Sequence, residues 1–174
     1  MLSPDDWQQT FLLSYKIYLD TYMQSIQYKL LHNIIISQSR LFKMNIAKSP
    51  DCLKCGLCED SLHMFVQCPF IIDFWNSFVT WWNNMNTNYK CIPLKESEII
   101  LGIHEKIDHH IALNYCLMQA KKFIYKKRNN EKRTEFLTFL IFIKKELKIL
   151  EMISEKYNTK EQFIYDFALL LDEL

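Results

Sequence analysis

The sequence predicts an all-α protein with one non-helical knot embedded in it. Three observations carry that prediction. The 174 residues include only 2 glycines and 4 prolines while 49% are hydrophobic, which leaves little room for hairpins or disordered linkers. Apolar residues recur at alternating spacings of four and three, most clearly Phe136, Leu140, Ile143, Leu147 and Leu150. Four of the six cysteines crowd between Cys52 and Cys68, where helical periodicity stops. A chain of this length is expected to make one domain with a sizeable core, with segments at 1–51, 52–88 and 94–174.

Pro4-Asp5-Asp6 reads as a helix start, with acids at the positive end of the helix dipole. The Asp-Asp pair also raises the idea of a polymerase site, but that chemistry needs a hairpin holding its carboxylates over two metals. Here Ser-Pro precedes the acids and a helical pattern comes after them, so a cap is expected. The first helix runs from Asp5 to about Asp20, and one or two more fill Thr21 to about Met44. Lys29, Arg40, Lys43 and Lys48 lie along this helical linker with only Asp51 opposing them nearby. They make either a solvated face or a phosphate-contacting one. His32 is expected to be an ordinary helix histidine rather than a ligand.

Cys52, Cys55, His63 and Cys68 stand at Cys-x2-Cys-x7-His-x4-Cys, the spacing of a small four-ligand zinc site. Cys-x2-Cys lets one tight turn aim two thiolates at a single ion, and Gly56 supplies backbone freedom just after it. Asp60 or Ser61 can cap a short helix starting just before His63. His63 and Cys68 are five apart, so a continuous α-helix points them to different faces. Pro69 pushes the residue before it towards extended backbone, so Cys68 is expected at a frayed helix end, able to swing back to the metal. By spacing alone Cys58 could replace Cys55 or Cys52.

Glu59-Asp60-x-x-His63-Met64-Phe65-x-x-Cys68-Pro69, followed by Trp75, resembles the zinc-binding domain that follows the reverse transcriptase in non-LTR (LINE-type) retrotransposon polyproteins. Asp60 stands where that family usually has Thr, which keeps the capping chemistry. The flank Tyr28-Lys29-Leu30-Leu31-His32-Asn33-Ile34, with Leu41 and Met44-Asn45-Ile46, looks like the family's helical linker. The resemblance spans roughly Trp7 to Trp82 and is looser from Leu101 onwards. It favours Cys58 as a bystander, leaving one structural Zn2+ in a CCHC knuckle. It implies a nucleic-acid-binding module that holds template RNA or target DNA during target-primed reverse transcription, with an upstream reverse transcriptase domain as a further partner.

After the knuckle, Phe70 to about Asn86 is an aromatic helix in which Phe74, Trp75, Phe78, Trp81 and Trp82 recur at three and four. That spacing argues for burial rather than an exposed base-stacking platform. Thr87 to Pro93 is the clearest break in the chain, with Cys91 an idle or buried thiol. Glu96 to about Ile103 is a short helix ending at Gly102. His104, His109 and His110 with Glu105 and Asp108 make a weak pattern for a second metal, because adjacent histidines face apart. Two long helices come next, with Leu113, Leu117, Ala120 and Ile124 striping the first, and Asn129-Asn130 turns them into a helical hairpin tail. Thr159 to Leu174 reads as a last amphipathic helix behind a Thr159-x-x-Gln162 capping box.

The formal net charge of +1 makes the whole chain no electrostatic magnet, so affinity for nucleic acid must come from patches. From Lys121 to Lys148 ten Lys or Arg face three acids, a surplus of seven. Lys121, Lys122, Lys126, Lys127, Arg128, Lys132 and Arg133 exceed what capping a helix needs, and a phosphate-binding patch is expected there. Lys29, Arg40, Lys43, Lys48 and Lys54 form the second expected cluster, around the knuckle. Four protein ligands close a zinc site to reactive water, and no polymerase, endonuclease or RNase H carboxylate cluster is visible. No catalytic residue is therefore expected, and the chain by itself is not expected to be an enzyme. Expected partners are RNA and/or DNA, with no membrane and no small-molecule substrate. The longest strongly apolar run, Phe136 to Ile143, is too short to cross a bilayer, and no secretory leader is expected at the N-terminus. An intracellular location, nuclear or cytoplasmic, is therefore expected and keeps the thiols reduced. Two other readings share these features: a structural zinc module mediating protein–protein contacts, and a domesticated host protein.

Overall fold

The computed structural model describes residues 4–17, 20–85, 94–104, 109–128 and 135–173, with the side chains of 4–6, 14 and 173 excepted. Among the described residues the fold is all-α, as expected. Helices α1 (Pro4–Lys16), α2 (Thr21–Leu31) and α3 (Gln38–Lys43) form the linker. A π-helical turn, His63–Gln67, leads into α4 (Pro69–Met85), and α5 (Glu96–Leu101) precedes α6 (His110–Lys127), α7 (Phe136–Lys156) and α8 (Lys160–Glu173). The expected break at Thr87 to Pro93, with Cys91, lies outside the described residues, as do the Asn129-Asn130 turn and Glu105 and Asp108. The side chains of Asp5 and Asp6 do too, although both residues stand in the first turn of α1.

Helix α6 is the axis of the molecule. It packs against α2, α7, α8 and the π-turn, and every residue from Ala112 to Ile124 is buried. The sequence shows a single apolar stripe here, but a helix with neighbours on all sides must hide its polar faces as well. Asn114 does so by imitating backbone: its side chain accepts from Ile103 N at 2.8 Å and donates to Ile103 O at 2.9 Å.

Lys122 pairs with Glu146 at 2.8 Å, and Lys126 and Phe123 lie against Phe142, so α6 and α7 run antiparallel as the predicted hairpin. The stripe α7 buries is Phe139, Ile143, Leu147, Leu150 and Ser154, while Phe136 and Leu140 are half-buried. In α4, Phe74, Trp75, Phe78 and Trp82 are buried and Trp81 is half-buried, with Phe74 meeting Phe123, Phe136 and Phe139. The burial argued from the spacing of these aromatics holds. One apolar core draws on all three expected segments, from Ile17 through Phe65 to Leu170.

Three helix ends share one device. Asn33, Asn45 and Asn158 take left-handed backbone at φ of 50°, 57° and 56° just beyond α2, α3 and α7. Each is followed by a bond closing the turn: Ile34 N to Lys29 O, Ile46 N to Leu41 O, and Thr159 N to Ser154 O, at 2.8, 2.9 and 2.9 Å. This is the Schellman arrangement with Asn in the place usually held by Gly. Gly102, by contrast, is needed for its φ of 92°, and a Cβ there would also make the tip of the Leu13 side chain move, since it meets Cδ2 at 2.2 Å. The expected capping box before α8 is not the arrangement found. The Thr159 hydroxyl turns back to Ser154 O at 3.5 Å, and Gln162 donates forward to Asp166 Oδ1 at 3.0 Å.

Candidate metal centre

The knuckle begins as a short loop closed on itself. Cys52 N bonds to Leu57 O and Gly56 N to Cys52 O, at 2.6 and 2.9 Å, while Asp51 and Cys58 form an isolated antiparallel bridge. Gly56 takes φ of 74°, the left-handed backbone that lets the chain double back after Cys55. The loop is pinned to α3 through Glu59, a buried residue. Its carboxylate accepts from Gln38 N at 2.9 Å and its carbonyl from Ser39 N at 3.1 Å, satisfying two of the free donors that open α3.

Asp60 caps the turn that carries His63, accepting from His63 N at 2.7 Å. That turn is π-helical rather than the frayed α-helix end predicted from Pro69. Cys68 N bonds to His63 O at 2.9 Å, an i to i+5 bond, and Cys68 is extended at φ −62°, ψ 129°. Widening the turn by one residue brings positions five apart onto one face, which a regular α-helix does not do. Pro69 acts as argued on the residue before it, and then opens α4. In an α-helix the donor to Phe65 O would be residue 69, a proline without an N–H. Trp75 Nε1 supplies the bond instead, at 2.7 Å and fully buried.

These devices bring Cys52, Cys55, His63 and Cys68 together, with one ligand atom from each within 4.8 Å of all the others. Cys55 Sγ lies 3.2 Å from His63 Nε2. Three thiols and one imidazole suit zinc, which takes sulfur at about 2.3 Å and nitrogen at about 2.0–2.1 Å in a tetrahedron. The cluster fits a single zinc ion. Burial pushes the Cys52 thiol up and the Cys68 thiol up to about 12, so metal entry must displace protons held there. Cys58 stands apart, exposed, with its sulfur 3.1 Å from Ser39 Oγ.

Residues 4–75 match the family described as zinc-binding in reverse transcriptase. No curated protein and no solved structure matches the chain. The matched segment runs from the start of α1 to Trp75, the indole that completes the π-turn. What that family description names is zinc binding, not the catalytic part of a polymerase.

The expected phosphate-binding cations separate into three groups. Lys29, Lys43, Lys48 and Lys126 are exposed, and Arg40 and Lys127 are half-exposed. Lys54 and Arg128 are half-buried and line a small cavity with Cys52, Glu59 and Cys68. There burial lowers the Lys54 pKa, while Cys68, Cys52 and Glu59 act against that shift. Arg128 donates to Ile36 O and lies 4.4 Å over the Tyr125 ring. With a Zn2+ bound, three thiolates would leave the site one negative charge in excess, and these two cations stand beside it to offset that charge.

Lys121 and Lys122, expected in the phosphate-binding patch, lie inside the fold instead. Both are buried, Lys121 bonding Gln27 Oε1 at 2.6 Å and Ile100 O at 3.0 Å, and Lys122 pairing Asp20 at 2.6 Å and Glu146 at 2.8 Å. Neither reaches solvent, so neither belongs to a phosphate-binding surface. Lys132 and Arg133 lie outside the described residues. His104 bonds Thr10 Oγ1 at 2.9 Å, and the Cys52–Cys68 cluster is the one metal-capable group among the described residues. No helix among them is long and apolar enough to cross a membrane.

Proposed function

We propose that this chain is a non-catalytic, zinc-dependent nucleic-acid-binding module of the kind that follows a reverse transcriptase, holding template RNA or target DNA while the polymerase works. Cys52, Cys55, His63 and Cys68 hold one structural zinc, and the closed four-ligand set leaves no position for a reactive water. The observation that carries the reading is this cluster inside the reverse-transcriptase zinc-binding match, flanked by the exposed Lys29, Lys43 and Lys48. Lys126 and Lys127, beyond the knuckle on α6, add a second anchor.

Metal analysis of the purified chain should give one zinc, lost in His63→Ala and Cys68→Ser and retained in Cys58→Ser. Charge reversal at Arg40 and Lys43 should weaken binding to RNA and DNA of any sequence, lowering the log–log salt slope by about one for each phosphate no longer neutralised. Reversal at Lys126 and Lys127 should act in the same direction. If neither pair changes affinity at low salt, the nucleic-acid reading fails and a zinc module for protein contacts replaces it.

A further inference from the structure

The aromatics of α4 are largely hidden, but on α1 and α2 a connected set of rings is exposed. Trp7 and Phe11 on α1 stack at 6.1 Å between ring centroids, Phe11 meets His32 at 5.6 Å, and His32 meets Tyr28 at 4.3 Å. Trp7, Phe11 and Tyr28 are 41%, 38% and 55% exposed, whereas Phe74, Phe78 and Trp82 of α4 are 2% or less. We propose that these four rings form a base-stacking ladder for single-stranded nucleic acid, continuing into a groove that carries the phosphates. The proposal rests on the nucleic-acid reading above and names the strand form and the surface.

Two observations favour a polyanion over a protein as the occupant. The first is charge. Between Trp7 and Pro50 stand Lys16, Lys29, Arg40, Lys43 and Lys48 against a single acid, Asp20, whose carboxylate is held by Lys122. The second is continuity. Asn33 follows His32 directly, and its carbonyl accepts from Arg40 Nη1 at 3.0 Å. It also lines a groove of about 550 Å³ with Arg40, Lys43 and Asp60. Asp60, the acid of that groove, already caps His63 N. A strand whose bases lie on the rings therefore meets cations where the rings end. Aromatic faces accept any base, so stacking adds affinity without sequence preference. A duplex, whose bases already stack on one another, cannot use the ladder.

The test titrates the zinc-loaded full chain with labelled oligothymidylate, an abasic oligomer with the same number of phosphates, and a duplex. Oligothymidylate should bind more tightly than the abasic strand. Phe11→Ala and Tyr28→Ala should each weaken it by about fivefold or more, leaving abasic and duplex affinities unchanged, while Tyr28→Phe should bind as the parent does. If oligothymidylate and abasic strands bind alike and the alanine variants change nothing, the ladder is overturned while general nucleic-acid binding stands. If no strand binds at low salt, both readings fall together. If the alanine variants instead turn a dimeric chain monomeric without touching affinity, the rings are a protein contact and the proposal is wrong.

Discussion

Lys121 and Lys122 are adjacent in the chain, yet the fold treats their charges oppositely. Burial opposes the Lys122 charge, but the hydrogen bonds it donates to Asp20 and Glu146 outweigh it and raise its pKa. The stability these contacts give the lysine charge is present below the ordinary lysine value of 10.5 and is lost as pH rises through the raised one; at the acid end it fades as Asp20, whose pKa the same contact lowers, takes up its proton. Lys121 has no acid beside it, and burial alone lowers its pKa to about 7. Its partners Gln27 Oε1 and Ile100 O are both acceptors, and a neutral amine still has two N–H groups to offer them. The unfolded chain keeps this proton up to 10.5, so between about 7 and 10.5 the unfolded state binds more protons and stability rises with pH. Unfolding free energies from urea titrations should therefore increase from pH 7 to pH 9, by at most about 1.4 kcal/mol per pH unit. Lys121→Met should remove that rise, and equal slopes in the two proteins would refute the assignment. The sequence could name both lysines as cations. It could not tell that α6 has neighbours on the side where they point.

At the scale of elements, the helix ends carry the least expected chemistry. A chain with 2 glycines has few of the residues that usually end helices, and only Gly102 was legible as a stop. Asn33, Asn45 and Asn158 do the same work because a short amide side chain tolerates left-handed backbone better than most residues. Asn158→Gly should leave thermal stability unchanged or slightly raised, while Asn158→Ala should cost about 1 kcal/mol. Equal melting points for the two variants would remove the backbone argument. The failed capping box at Thr159 has the same origin: the residue that might have capped α8 is already closing α7. The π-turn was half legible. Five-residue spacing between His63 and Cys68 pointed to a departure from regular helix, and Pro69 to where it ends. The i to i+5 bond and the Trp75 indole that satisfies Phe65 O became visible only in three dimensions.

For the whole molecule, the knuckle is not an appendage. Met64, Phe65 and Val66 of the π-turn enter the common core, and Phe65 stacks on Tyr125 of α6 at 6.4 Å. Structural zinc contributes on the order of 10–16 kcal/mol in small finger peptides, comparable to the roughly 5–15 kcal/mol that holds a whole domain. Chelation should therefore lower the melting temperature of the entire chain. In hydrogen exchange, the amides of the knuckle, α3 and the start of α4 should lose protection first, while α7 and α8, packed on α6 and on each other, keep theirs. Uniform loss along the chain would mean that the C-terminal helices depend on the metal as strongly as the knuckle does.

The sequence by itself determined the helical class, the stretch that carries the ligand candidates and a cap at Asp60 or Ser61, because each depends on residues close together in the chain. Periodicity, Cys-x2-Cys spacing and a proline after Cys68 act locally, and their effects can be read locally. Only the tertiary structure decided which cations meet water, since Lys121 and Lys122 are basic in any sequence and buried only because α2 and α7 close over α6. It also decided which aromatics stay outside. Trp7 and Phe11 have the same helical spacing as Phe74 and Phe78, and the difference between a core and an exposed surface is what packs against the face that spacing creates.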